Sequence, residues 1–224
     1  MQTFQNLVLI GTSHIAKQSL IEVEEGILKE KPEVVALELD KNRFYALANK
    51  QKSRLRIRDI KLIGFKGYLF AKVGEFVEKK LGKMVGVKPG DEMLKAAEIA
   101  SKTGCKIALI DQKIEITLGN FSKELTWKEK FRFVVDFFKG LFSEKYRVKI
   151  DLTKVPEKEM ITAMLKQVKE RYPSFYKVLV TDRNKYMAAR LAKLMENYSK
   201  IVAIVGAGHE EEIVDEVKRI FNQK

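Results

Sequence analysis

Apolar residues in this chain gather into short runs, and each run ends abruptly at a glycine or a carboxylate. Leu7-Val8-Leu9-Ile10 stops at Gly11, Val34 to Leu37 leads into Glu38-Leu39-Asp40, Lys106 to Ile110 ends at Asp111, and Ile201 to Val205 ends at Gly206. Runs of this length, rich in Val, Ile and Leu, predict buried strands emptying into loops. Between the first two, Leu20, Val23, Ile27 and Leu28 recur at helical spacing from Ser19 to Lys29, and Lys31-Pro32 stops the helix. A crossover of that length joins parallel strands, almost always with a right-handed turn. Further helices are predicted from Asp91 to near Gly104, from Pro156-Glu157 to about Arg171, along the Met187, Leu191 and Leu194 stripe, and after His209 through Val217 and Ile220. The pattern predicts an α/β fold with a largely parallel central sheet flanked by helices, in one domain over residues 1–224.

Two segments, about 44–88 and 117–155, fall outside the sheet pattern and predict helical insertions. One holds Gly64 to Phe70, the other Trp127 and Phe131 to Phe138, and both are aromatic and basic. Packing over the sheet is the first reading, self-association as a homodimer or larger homo-oligomer the next, and a lid or peripheral membrane-surface contact are further ones.

Composition narrows the class. With 46% hydrophobic residues, four prolines and no low-complexity tract, 224 residues can enclose a real core. No stretch approaches the ~20 apolar residues of a membrane span and no signal core follows the N-terminus, so a cytoplasmic chain is expected. The single cysteine, Cys105, has no disulfide partner in the chain and reads as a small buried residue at the mouth of a strand. The net charge of +13 is concentrated between Lys41 and Lys61, where eight Lys and Arg face only Asp59. This reads as a solvated helix face, and no nucleic-acid motif accompanies it, so no specific nucleic acid is expected as a partner.

The candidate chemistry lies at the strand ends. In open α/β sheets ligands sit beyond the carboxyl ends of the strands. Both histidines of the chain, His14 and His209, stand three residues after the glycine that closes a run, in Gly11-Thr12-Ser13-His14 and Gly206-Ala207-Gly208-His209. Two neutral imidazoles plus a carboxylate suit a divalent ion such as zinc, manganese, cobalt or iron, which would lower the pKa of bound water toward ~7. Metal-free acid–base work by the same histidines is the alternative. Glu38 interrupts a strand expected to be buried on both faces, where a carboxylate needs a metal, a hydrogen bond or an ion pair; Arg43 and Arg183 are the candidate cations. Arg183 sits one turn before Met187, at the end of a buried stripe. Ser13 and Thr12 are possible nucleophiles or, more simply, helix caps. Asp40 and Asp111 either join the site or cap strand ends.

These pieces resemble the TraB/PrgY family, related to the bacterial GumN proteins and the animal TIKI proteases. The resemblance is carried by Gly11-Thr12-Ser13-His14, Lys31 to Asp40 with Arg43, Pro89 to Met93, Ala108 to Asp111, Asp182-Arg183-Asn184 with Met187-Ala188, and Val202 to His209, in that order over nearly the whole chain. It implies a fold shared with erythromycin-esterase-like and ChaN-like proteins. Some relatives are metal-dependent peptidases and others shut down peptide pheromone signals. On this resemblance His14, Glu38 and His209 form the metal or catalytic centre, and Arg183 and Asn184 bind substrate or stabilise developing negative charge. Ser13, Arg43 and Asp111 border them at the substrate. The reading is a metal-dependent hydrolase, peptidase-like, with a peptide or small molecule as substrate. Its alternatives are a noncatalytic module that sequesters a peptide or a cofactor such as haem, and a membrane-surface binder.

Overall fold

The computed structural model describes residues 1–12, 17–49, 68, 90–142 and 158–223. Its sheet has five strands in the order β1-β2-β5-β3-β4, namely β1 Gln2–Phe4, β2 Leu7–Thr12, β3 Val34–Leu37, β4 Lys106–Leu109 and β5 Ile201–Gly206. The four strands expected from the apolar runs are parallel to their neighbours. The three-residue β1 adds an antiparallel edge, Gln2 facing Leu9. It is too short for the alternation of a strand to show, and only its pairing with β2 defines it. β5, last in sequence, occupies the central slot between β2 and β3, so α1 (Lys17–Glu30) crosses over it. His209 therefore emerges between the end of β2 and Glu38 after β3.

The pleat sorts the strand residues by face. Val8, Ile10, Val35, Leu37, Val202 and Ile204 pack with Val23 and Ile27 of α1 and with Met93, Ala96 and Ala100 of α3 (Asp91–Thr103). Leu7, Leu9, Val34, Ala36, Ile201, Ala203 and Val205 pack on the other face against α8 (Asp182–Met195) and α9 (Glu210–Asn222). In α8 the buried residues Asn184, Met187, Ala188, Leu191, Ala192 and Met195 form one stripe at a spacing of three and four. Of the stripe expected from Met187, Leu191 and Leu194, the first two lie on it and Leu194 is only partly buried beside it, while Asn184, a polar residue with a role described below, extends it. α2 (Lys41–Ala48) starts at Asp40, whose Oδ1 accepts from Asn42 N at 2.8 Å and Arg43 N at 3.2 Å.

Within the second aromatic segment, α4 (Ile114–Glu124) and α5 (Trp127–Phe142) are helical, and residues 143–155 lie outside the described residues. So do the Gly64 to Phe70 stretch apart from Tyr68, and the basic residues from Lys50 to Lys61. Trp127 and Phe131 are largely exposed on α5. Among the described residues no helix is long and apolar enough to cross a membrane. Cys105 is half-buried, its thiol 3.0 Å from the Pro32 carbonyl.

α5 begins with a capping box. Thr126 Oγ1 accepts from Glu129 N at 3.2 Å, and Glu129 Oε2 accepts from Thr126 N at 3.1 Å and from its hydroxyl at 2.7 Å. The other oxygen, Oε1, takes Ser174 N–H at 2.7 Å, so one buried carboxylate joins α5 to α7 (Pro173–Tyr176), which follows α6 (Lys158–Arg171). Burial pushes the Glu129 pKa up, but these hydrogen bonds outweigh it and hold the group below its ordinary value of 4.5. A depressed carboxylate pKa adds stability that is complete above the unfolded value and lost as pH falls through the folded one. Glu129→Ala is accordingly expected to cost about 1–2 kcal/mol at neutral pH. The gap to the wild type should close as pH drops below about 4.5, which urea titrations at several pH values would show.

Candidate functional site

Three strand ends and the first turn of α8 converge on Arg183. Its Nε donates to Asp111 Oδ1 at 3.1 Å and its Nη2 to Asp111 Oδ2 at 2.8 Å, a two-point pairing. Nη2 also donates to Glu38 Oε1. Nη1 donates to the Leu179 carbonyl at 3.2 Å and lies 3.3 Å from His209 Nε2. All five N–H groups of this guanidinium thus meet partners. Burial alone would lower the pKa of Arg183, yet the carboxylates of Glu38 and Asp111 overcome that and hold it above the usual arginine value. Arg183 is a fixed positive charge.

The strand ends explain why the carboxylates are there. β3 stops at Leu37, and Glu38 follows it, 4% exposed and surrounded by the core. Its Oε2 accepts from Gly206 N at 2.6 Å, the amide that closes β5. Of the two cations expected for Glu38, Arg183 is its partner, and Arg43 reaches Asp111 Oδ2 instead, at 3.3 Å. Asp111, 7% exposed, also accepts Gln112 N at 2.8 Å. Asp111 is therefore part of the cluster, while Asp40 caps α2. Thr12 donates to the Val205 carbonyl at 3.2 Å and its own carbonyl accepts from Ala207 N at 2.8 Å, which ties the end of β2 to the glycine-histidine loop after β5. That approach is close: a Cβ on Gly11 would lie 3.1 Å from Ala207 Cα and 2.7 Å from Glu210 Oε2.

His209 stands immediately before α9, its Nε2 3.5 Å from Glu38 Oε1 and its Nδ1 2.6 Å from Asn184 Oδ1. Asn184, 1% exposed, donates its Nδ2 to Glu212 Oε2 at 2.9 Å, and the Tyr176 hydroxyl donates to Glu212 Oε1. Burial and then Glu212 push the Tyr176 pKa well above the tyrosine range, so the phenol keeps its proton.

A π-helical turn, Lys177–Thr181, links α7 to α8, with Asp182 N bonding back to the Lys177 carbonyl. Such turns carry one extra residue and often occur at functional sites. Here the turn supplies Leu179 O to Arg183 and lies between Tyr176 and Asn184.

Glu38, Asp111, Arg183, Asn184, His209 and Arg43 thus meet at one sheet edge. Ser13 and His14 lie outside the described residues. Two members were absent from the sequence reading. Glu212 carried a usable signal, since position i+3 from His209 shares its helix face, but the run Glu210-Glu211-Glu212 reads as ordinary acid at a helix start. Tyr176 carried none, because only the π turn brings it to Glu212. Among the described residues no three His, Cys, Asp or Glu side chains are placed to hold a metal ion.

The sequence pattern of the TraB/PrgY/gumN family matches residues 3–213 of this chain, which includes every residue of the cluster. The chain belongs to the TraB/PrgY/gumN family. It is similar to the uncharacterized protein MJ1365 of Methanocaldococcus jannaschii, with 38% identity over 97% of this chain and 54% of the relative. It is also similar to the human TraB domain-containing protein, with 26% identity over 90% of this chain and 60% of the relative. The chain therefore spans little more than half the length of these TraB-family relatives.

Proposed function

We propose that this chain hydrolyses an amide or ester bond, in a peptide or another small substrate, with His209 as the proton-accepting group. The observation that supports the reading is the placement of the imidazole. Nδ1 is held by Asn184 at 2.6 Å, which makes Nε2 the acceptor of the ring at the carboxyl edge of the sheet; Arg183 Nη1 lies 3.3 Å from it, and the proposed water takes that place on the lone pair. A nucleophile–base site works when a third group fixes the base, and here Asn184 does so. In the proposed reaction a water gives one proton to Nε2 while its oxygen bonds to the carbonyl carbon. The same proton then goes to the leaving nitrogen or oxygen as the acyl bond breaks. Glu38 and Asp111 balance the charges of Arg183 and Arg43, and Glu38 Oε1, 3.5 Å from Nε2, is the carboxylate oxygen beside the imidazolium as it forms. Arg183 works through its neighbours, because each of its donors already has a partner.

The family resemblance also brings in a divalent ion held by His14, Glu38 and His209, which would supply an activated water. The described members of that set do not fit an ion as they stand. Glu38 Oε1 faces Arg183, Oε2 faces Gly206 N at 2.6 Å, and Arg183 Nη1 lies 3.3 Å from His209 Nε2. An ion bridging Glu38 and His209 would have to take the place of the guanidinium, so no step is drawn through it.

The test is turnover of a panel of aryl esters and labelled peptides before and after exhaustive treatment with a chelator. Hydrolysis that survives chelation is expected. Activity lost on chelation and restored by zinc, manganese or cobalt would install the ion instead. Saturable binding without turnover would move the chain to the sequestering class.

A further inference from the structure

We propose that Glu212, itself held by the Tyr176 hydroxyl, is a positioning residue that sets the tautomer of His209 through Asn184. The inference deepens the hydrolase reading, since it concerns the base of that reaction, but its test needs no substrate.

The polarity of the chain of hydrogen bonds follows from its outer end. Tyr176 is buried and has only a hydroxyl proton to give, which goes to Glu212 Oε1. Glu212 Oε2 then faces Asn184 at 2.9 Å, and a carboxylate can only accept. The amide must therefore present Nδ2 to Glu212 and Oδ1 to His209. With an oxygen 2.6 Å from Nδ1, the imidazole carries its proton there and keeps a lone pair on Nε2. Flipping Asn184 would set oxygen against oxygen at one end, with no proton between them. The relay starts on α7, passes through α9 and α8, and reaches the sheet edge, so its order depends on the π turn that separates Tyr176 from Asn184.

Substituting Glu212 tests this polarity. In Glu212→Gln the buried Tyr176 hydroxyl, whose hydrogen bond among the described residues is to position 212, gives its proton to the new side-chain oxygen. The new amide nitrogen then faces Asn184, which must turn its oxygen outward and its Nδ2 toward His209. Nδ1 becomes the acceptor and the proton moves to Nε2. Adding Asn184→Asp restores acceptors on both sides of position 184 at the original total charge, so the double variant should recover the wild-type tautomer. Arg183 also favours a lone pair on Nε2, and the experiment separates the two influences.

The chain has only two histidines, so 15N shifts of the ring nitrogens in uniformly labelled, ligand-free protein resolve each one, with His209 assigned by its loss in His209→Ala. Spectra at about pH 8, above the ordinary histidine range, report the neutral ring. The wild type is expected to show His209 with its proton on Nδ1. Glu212→Gln should shift the tautomer ratio by about tenfold or more toward Nε2–H. Tyr176→Phe leaves Glu212 a carboxylate that can only accept from Asn184, so it should keep the wild-type ratio and serves as the control, and Asn184→Asp/Glu212→Gln should return it. An unchanged ratio in folded Glu212→Gln would overturn the proposal and leave Arg183 alone in control, as would a double variant that fails to restore it. Should Glu212→Gln not fold, the wild-type spectrum decides, since a His209 proton on Nε2 would overturn the polarity. Loss of hydrolysis with an unaltered tautomer would count against this relay without touching the hydrolase reading.

Discussion

Replacing Arg183 by alanine is expected to remove about 3 kcal/mol or more of folding stability, the largest single loss available at this site. The side chain pairs with Glu38 and with Asp111, the latter at two points. The side chains of those carboxylates are 4% and 3% exposed, so water cannot take over the role of the guanidinium. Removing one partner of a buried pair costs about 3–5 kcal/mol because a charge is left without compensation. Two features put this site toward the lower end. Gly206 N remains on Glu38, and Arg43 remains 3.3 Å from Asp111. Urea denaturation of the wild type and Arg183→Ala provides the number. Glu38→Gln in the alanine background should recover part of the loss, since Glu38 loses Arg183 whereas Asp111 keeps Arg43. A cost below about 1 kcal/mol would mean that the cluster is not the buried network described.

Replacing His209 by alanine is expected to reduce turnover by about 10²–10⁴-fold, the range of a positioned acid–base group. Stability should change less, because the substitution takes the partner from an amide oxygen, Asn184 Oδ1, and not the counter-charge from two buried carboxylates. Its backbone contributions survive the substitution: the amide still donates to Gly206 O at 2.8 Å and the carbonyl still accepts from Ile213 N at 3.0 Å. The two substitutions are therefore expected to split. Arg183→Ala reports mainly in denaturation, while His209→Ala reports mainly in rate. A rate loss under tenfold in folded His209→Ala, on a substrate the wild type turns over, would remove the imidazole from the chemistry.

Much of the frame was legible because its signals are local. Val8, Ile10, Val35 and Leu37 alternate with Leu7, Leu9, Val34 and Ala36, and each set needs a cover of its own. That requirement, with a helix-length crossover between the runs, specifies parallel strands between helical layers. The α8 stripe was legible for the same reason, since a spacing of three and four repeats whatever lies opposite. β1 escaped notice because three residues carry no period. The ends of β3 and β4 also fell short of their apolar runs: Leu39 and Ile110 are buried but lie beyond the strands, where the chain turns toward the site.

By itself the sequence determined which residue types stand at the strand ends: a glutamate, an aspartate and a histidine that periodicity sends to one edge of a parallel sheet. It also determined that a buried Glu38 would need a partner, since an isolated carboxylate in a core is costly. Only the tertiary structure decided which partner. Placing β5 between β2 and β3 put Gly206 N and His209 beside Glu38, and a π turn before α8 aimed Arg183 at Glu38 and Asp111 while leaving Arg43 on Asp111 alone. The roles of Glu212 and Tyr176 arose in the same way. Hydrogen bonds fall off within a fraction of an ångström and a few tens of degrees, whereas hydrophobic periodicity specifies a face and not an atom.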